Sequence, residues 1–296
     1  MIEVINPCQA GFVPGRRTSD NIIIVHEVIR TLISRRGQTG YVALKLDLEK
    51  AYDRLEWHYI QDTLKFFQLP ATLITLIMNM ISSTRFHVLW NGSPLPEVVP
   101  SRGLRQGDLL SPYLFILCLE RLSIQLTEAV QEKRLHLISF RGRVCLSHLF
   151  FADDIFLFTR ATARDCRNLG QILSRFCESS GQLMSITKSR VWFSPRTHRR
   201  IKEQLEGILG LHTIDRIGTY LWVPIFTTHR PASSYQYLVE NISKRIEGWQ
   251  TKYLSMAGRA TLIKASITSI PTYAKQTTLF PQKVYHQIDK LSWNFL

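Results

Sequence analysis

The sequence predicts a globular protein of α+β or α/β class, and three observations point there. Several segments carry apolar residues at helical spacing, short apolar runs of strand length lie between them, and turn residues mark the changes from one pattern to the other. With 296 residues the chain is long enough for one large domain or two modest ones. Residues 21–35 read as a helix, with Ile22, Val25, Ile29 and Ile33 on one face and Ser19 or Asp20 available as cap. Gly37 and Gly40 then introduce "YVALKLDL", where Val42, Leu44, Leu46 and Leu48 alternate with other residues, a strand of about seven residues ending near Asp47. Trp57, Ile60, Leu64 and Phe67 predict the next helix, and residues 71–81 another. Asn91-Gly92 suits the positive φ of a tight hairpin turn.

A polar, glycine-rich stretch, "SRGLRQGDLLSP", leads to a long helix over 112–132, with Pro112 in its first turn. "RVCLSHLFFADDIFLFTR" reads as two strands around a turn at Ala152-Asp153-Asp154, and residues 163–179 as a helix stopped by Gly181. Arg196 to Arg200 reads as a basic link. From Ser233 the chain is basic and helical, with Leu238, Ile242, Ile246 and Trp249 at helical spacing. Boundaries are therefore expected at 1–195, a connection over 196–232, and a basic helical region over 233–296.

Lys and Arg number 37 against 23 Asp and Glu, a formal charge of +14, which favours a polyanion, either nucleic acid or an acidic membrane surface. The five cysteines form no CxxC pair; Cys145 and His148 have ligand-like spacing without a second pair, so buried thiols in a reducing compartment are expected. "MIEVINPCQAGF" has no signal-peptide pattern and no apolar run approaches the roughly 18 residues of a membrane span, so a soluble intracellular protein without membrane association is expected.

Asp47 at a strand end and Asp153 and Asp154 at a hairpin tip are the chemistry-bearing candidates. Ionised carboxylates are costly to bury and neighbours repel, although Asp pairs also serve turns by capping backbone N–H groups. If their two strands are adjacent in the sheet, all three are expected to form one cluster, and such a set suits hard divalent cations that stabilise both oxygens of an in-line phosphoryl displacement.

Seven segments in fixed order then carry a resemblance: "QAGFVPGRRTSDNI", "ALKLDLEKAYDRLEW", "SRGLRQGDLLSPYLF", "SHLFFADD", "SGQLMSITKS", "TYLWVP" and "GWQTKYLSMAGRATLIKA". Together they resemble the reverse transcriptases of non-LTR (LINE-type) retrotransposons, especially the plant-type branch. The resemblance implies an α+β right-hand polymerase with a palm, partial fingers and a helical thumb. It implies RNA-directed DNA polymerisation with an RNA template, a DNA primer, deoxynucleoside triphosphates and a pair of Mg²⁺ ions, Mn²⁺ being an alternative, and a nuclear location. Asp47, Asp153 and Asp154 match the family's metal-binding aspartates, and the Leu48 carbonyl a backbone ligand. Tyr52 matches the aromatic gate that excludes a 2′-OH, Gln106 and Gly107 the nucleotide and template contacts, and Lys188 a proton donor to pyrophosphate. Arg16, Lys244, Arg245, Lys252, Arg259 and Lys264 are candidates for phosphate contacts, while Trp249 and Tyr253 read as core. Asp108 either continues the Gln106–Gly107 motif or caps the following helix.

The family pattern is broken at three places: Leu109 where it has Pro, Trp222 where it has Gly in "YLGLP", and Ser185 where it has Asn. Its upstream basic fingers segment, endonuclease and RNase H are not among these residues, so a truncated product is expected. A second reading is therefore a degenerate product that binds nucleic acid without polymerising.

Overall fold

A computed structural model describes residues 4–35, 39–140, 144–226, 232–248 and 254–296. The chain opens with helix α1 (Thr18–Ser34), strand β1 (Tyr41–Leu46), the single turn α2 (Ala51–Arg54), α3 (Trp57–Phe66) and α4 (Ala71–Ser82). A small hairpin follows, β2 (Leu89–Trp90) and β3 (Ser93–Pro94), and then the long α5 (Ser111–Gln131). Next come β4 (Ile138–Phe140), β5 (Val144–Leu146), β6 (His148–Phe151), β7 (Asp154–Arg160) and α6 (Ala163–Ser180). Then follow β8 (Arg190–Phe193), α7 (Arg199–Leu209), β9 (Thr213–Ile214), β10 (Thr219–Tyr220) and β11 (Val223–Pro224). Helices α8 (Gln236–Glu247), α9 (Met256–Leu262), α10 (Ile270–Lys275) and α11 (Gln282–Phe295) complete the order.

The fold divides into two compact units, residues 1–17 with 31–217, and residues 18–30 with 218–296. In the first, a five-stranded sheet runs β6-β7-β1-β8-β9, antiparallel except for the β8–β9 pair. Alternation sorts its side chains into two faces. Val42, Leu44, Leu46, Ile155, Leu157, Val191 and Phe193 join one core with Ile60 of α3, Phe115 and Leu119 of α5, and Phe176 of α6. The opposite face carries Ala43, Phe156, Phe158 and Trp192, also buried. With both faces apolar, β1 and β7 read as continuous hydrophobic runs interrupted only where polar residues reach an end of the sheet.

Two local expectations are corrected. The basic link at 196–200 runs at Arg199 into α7, whose Ile201, Leu205 and Ile208 recur at helical spacing, with Leu205 fully buried. His198 caps it by accepting the Arg200 N–H at 3.3 Å, and Gly210 at φ 64° ends it. The aspartate turn is shorter than expected: Ala152 and Asp153 form it, and Asp154 is already the first residue of β7, paired with Phe151.

Glu120 of α5 is 3% exposed in this core. Burial pushes its carboxyl up to about 7, against the Asn6 N–H, the Ser123 hydroxyl and the Arg16 charge, which all favour ionisation. Because the folded value lies above the unfolded one, its contribution to stability is full at low pH and is lost as pH rises from 4.5 through about 7. The loss is on the order of 3 kcal/mol. Glu120→Gln should flatten the stability profile between about pH 5 and about pH 8, as read by denaturant melts across that range.

In the second unit, Tyr220, Tyr235, Ile242 and Val284 are fully buried, and Tyr235 lies 4.8 Å from the Phe280 ring. The β10–β11 hairpin closes through Leu221 at φ 47° and Trp222 at φ 66°. A two-residue turn with both φ positive favours Gly or Asn, and an L-residue there costs about 1–2 kcal/mol. Trp222 is 87% exposed and so gains no packing in return. Trp222→Gly should raise the thermal midpoint, with a net gain of up to about 1 kcal/mol once glycine's extra unfolded-state entropy is counted.

Candidate active site

The β1–β7 register pairs Leu46 with Ile155, and one further step brings Asp47 opposite Asp154. Asp153 stands exposed at the turn beside it. Burial is the main reason the Asp154 carboxyl lies above the ordinary carboxylate range; Lys45 opposes the shift, and the charges of Asp153 and Asp47 add to it. The three expected carboxylates are thus electrostatic neighbours at one end of the sheet.

Asp47 is held on three sides by the segment after α6. Its N–H donates to Ser189 Oγ at 3.1 Å, its carbonyl accepts the Ser185 N–H at 2.8 Å, and its Oδ1 lies 3.6 Å from Lys188 Nζ. Leu48 sits opposite Met184 in an antiparallel bridge whose hydrogen bonds use the flanking residues, Glu49 to Leu183 and Ser185 to Asp47. The Leu48 carbonyl therefore points to the other edge of its strand, the β7 side. Ser189 was not singled out from sequence, where a buried serine in a polar loop resembles any solvated one, and Ser185 stood out only as a departure from the resembling family.

Tyr52 packs its ring on Phe115, centroids 4.9 Å apart, and burial followed by the Asp153 charge raises its phenol pKa, which puts it beside the aspartate turn. The 102–107 loop is bound to the same short helix: Leu104 N–H donates to Tyr52 O and Gly103 N–H to Leu55 O, both at 2.8 Å. Gln106 consequently approaches Asp53, at 3.5 Å, and Gly107 takes φ 89° with open space around it. A cavity of about 560 Å³ lies here, lined in part by Asp53, Trp57, Arg102, Arg105 and Gln106. Asp108 accepts the Leu110 N–H at 3.0 Å at the entry of α5, a capping contact, and pairs with Arg105. Leu109 beside it is 89% exposed.

The basic candidates divide. Arg16 does not present its charge to solvent: its guanidinium donates to the carbonyls of Ile5 and Asn6, at 2.8 and 2.5 Å, and of Gln9. Carbonyls are its partners because the 5–9 segment turns back without a sheet partner for every acceptor, and Arg supplies several donors at once. Arg259 donates to the Leu296 carbonyl at 3.1 Å and is half-buried, which ties α9 to the end of α11. Lys244 and Arg245 are exposed in the last turn of α8, and Lys264 is exposed in the π-helical turn after α9. Lys252, Trp249 and Tyr253 lie outside the described residues.

No three His, Cys, Asp or Glu side chains among the described residues are gathered into a metal-holding group. The donor set is open instead, with Asp153 exposed and Asp47 and Asp154 half-buried. Such carboxylates suit Mg²⁺, which keeps several waters and takes ligands from substrate phosphates instead of filling an all-protein cage.

A sheet with helices behind it and aspartates at adjoining strand ends is the arrangement expected of a right-hand polymerase palm. The fold is similar to that of a telomerase from Candida albicans solved with a TWJ fragment of telomeric RNA, at a TM-score of 0.50 and 13% identity over 97% of this chain and 48% of that one. Residues 1–255 match the family profile "Reverse transcriptase (RNA-dependent DNA polymerase)", and the chain belongs to that family. It is 29% identical over 284 residues to the transposon TX1 uncharacterized 149 kDa protein of Xenopus laevis, covering 91% of this chain and 20% of that one. It is 33% identical over 153 residues to the Pol polyprotein of the type-2 retrotransposable element R2DM of Drosophila melanogaster, covering 52% and 14%. The chain therefore spans a fifth or less of these two relatives. None of the helices among the described residues is long and apolar enough to cross a membrane.

Proposed function

We propose that this domain transfers deoxynucleotides to a primer 3′-OH under the direction of an RNA template, in the nucleus during retrotransposition. The observation that carries the reading is the meeting of Asp47, Asp153 and Asp154 at one end of the sheet, with Tyr52 beside the turn. Asp47, Asp153, Asp154 and the Leu48 carbonyl would hold Mg²⁺. When bound, the ions stabilise the attacking and leaving oxygens of the displacement.

Tyr52 lies under the incoming sugar and rejects a 2′-OH by steric conflict, its ring being fixed by Phe115. Gln106 offers a donor and an acceptor to the nucleotide, and Gly107 lets the backbone approach. Lys188, 3.6 Å from Asp47 Oδ1, would give a proton to the departing pyrophosphate. Lys244, Arg245 and Lys264 meet backbone phosphates, with affinity that falls as salt rises.

The test is primer extension on an RNA template with Mg²⁺, wild type against Asp153→Asn. Incorporation by wild type and its loss in the variant is the expected result; equal incorporation by both would remove the metal site from the mechanism. A second reading, nucleic-acid binding without polymerisation, draws on the strained Trp222 turn. It predicts salt-sensitive RNA–DNA binding with no incorporation by either protein.

A further inference from the structure

A buried polar residue outside the carboxylate cluster reaches the aspartate turn from the other side. Residues 8–10 lie along β6: Phe150 N–H donates to Cys8 O at 2.8 Å, and Ala10 N–H to Phe150 O at 3.0 Å. Between them Gln9 is 1% exposed. Its Oε1 accepts two backbone N–H groups, Gly11 at 2.9 Å and Ala152 at 3.3 Å. Ala152 is the turn residue that precedes Asp153, and it sits at φ 52°, a conformation that favours glycine.

The amide orientation is fixed, because rotating it would set an NH₂ against two N–H donors. Its Nε2 is buried with no hydrogen-bond partner among the described residues, an unfavourable arrangement that the apolar isostere methionine would avoid. Gly11 adds a steric condition. A Cβ there would stand 2.5 Å from Ala152 N, so only glycine lets the two segments approach this closely. Arg16 holds the segment from behind through the carbonyls of Ile5, Asn6 and Gln9.

We propose that Gln9, seated by Gly11 and Arg16, is a positioning residue that holds the strained Ala152 turn and thereby aims the Asp153 and Asp154 carboxylates. The inference rests on the polymerase reading for its consequence in catalysis, whereas its structural content stands apart from it. Gln9 is buried, with no surface to offer a nucleotide or a duplex. Its loss acts on the turn, then on cation affinity and turnover, and leaves primer–template affinity alone.

The experiment compares wild type with Gln9→Met, which keeps the volume and removes the acceptor, and with Gln9→Glu, which keeps an acceptor oxygen at the same reach. Three quantities are read: amide hydrogen exchange at Ala152 against Leu44, Mn²⁺ affinity by electron paramagnetic resonance, and single-nucleotide incorporation. In Gln9→Met, Ala152 exchange should speed up at least ~10-fold with Leu44 unchanged, and Mn²⁺ affinity and kcat should each fall ~10–100-fold. The Kd for primer–template should stay within about twofold, and Gln9→Glu should restore Ala152 protection.

Wild-type Ala152 exchange and Mn²⁺ affinity in a folded Gln9→Met would overturn the proposal. Should that variant lose Leu44 protection, Gln9→Glu decides: Ala152 protection retained upholds the proposal, and protection lost in a folded protein refutes it. A wild-type chain that incorporates nothing, while Ala152 exchange and Mn²⁺ affinity still respond to Gln9→Met, would sink the polymerase reading and leave the positioning role standing.

Discussion

Asp154→Asn should reduce deoxynucleotide incorporation by at least ~10³-fold, about 4 kcal/mol of transition-state stabilisation, while leaving the fold intact. The size follows from the proposed role: a carboxylate that holds a cation at the reacting oxygens would act where charge develops. The stability side has the opposite sign. Burial and the Asp153 and Asp47 charges hold the Asp154 carboxyl above its ordinary value despite Lys45. Its contribution to the metal-free protein is therefore present at low pH and lost as pH rises through the folded value. Neutral Asn escapes that loss, so the metal-free variant should melt at or above the wild-type temperature near neutral pH. Mg²⁺ at about a hundred times its Kd should stabilise wild type by roughly 2.7 kcal/mol and Asp154→Asn by much less. Calorimetry with and without Mg²⁺, beside primer extension, reads both signs; a variant that keeps wild-type turnover would remove Asp154 from the mechanism.

Gly103→Ala is the substitution with the largest expected cost to the fold near the site. Gly103 sits at φ 89°, and a Cβ there would stand 2.6 Å from Asp53 O and 3.0 Å from Asp53 C and Cα. These are backbone atoms of the helix that carries Tyr52, so no side chain can swing aside. Left-handed strain of about 1–2 kcal/mol joins an overpacking cost of about 1–3 kcal/mol, for a total near 3 kcal/mol. The shift would also loosen the Gly103–Leu55 and Leu104–Tyr52 hydrogen bonds that bring Gln106 to Asp53. Denaturant melts should show the loss of stability, and KM for the nucleotide should rise in whatever fraction remains folded. An alanine variant as stable as wild type would mean that the loop is not held by this contact.

The β1 strand and the aspartate hairpin were legible because the chemistry that folds them is periodic: Val42, Leu44 and Leu46 share a face, and apolar runs flank the Asp pair on both sides. Helix α7 had a readable stripe in Ile201, Leu205 and Ile208, but the basic run Arg196 to Arg200 drew attention to charge over spacing. Arg16 shows why charge counts mislead residue by residue. Nothing in "GRRTSD" says that one guanidinium is used on three carbonyls. The contacts of Gln9 with Ala152 and of Ser189 with Asp47 join positions 143 and 142 residues apart, a pairing that local patterns do not encode. Trp222 stood out in the sequence only as a side chain where the resembling family has glycine; its φ of 66° explains why glycine suits that position.

The clamp on Asp47 also determines which of its members are free to vary. Position 185, where the resembling family carries Asn, reaches Asp47 through its backbone N–H, and a main-chain donor is indifferent to the side chain attached to it. Substitution there leaves the grip intact so long as the newcomer fits a buried niche. Position 189 reaches the same aspartate through a hydroxyl, so it tolerates Thr at most before the Asp47 N–H loses its acceptor. Two serines four residues apart, alike in composition and burial, thus carry unequal mutational freedom.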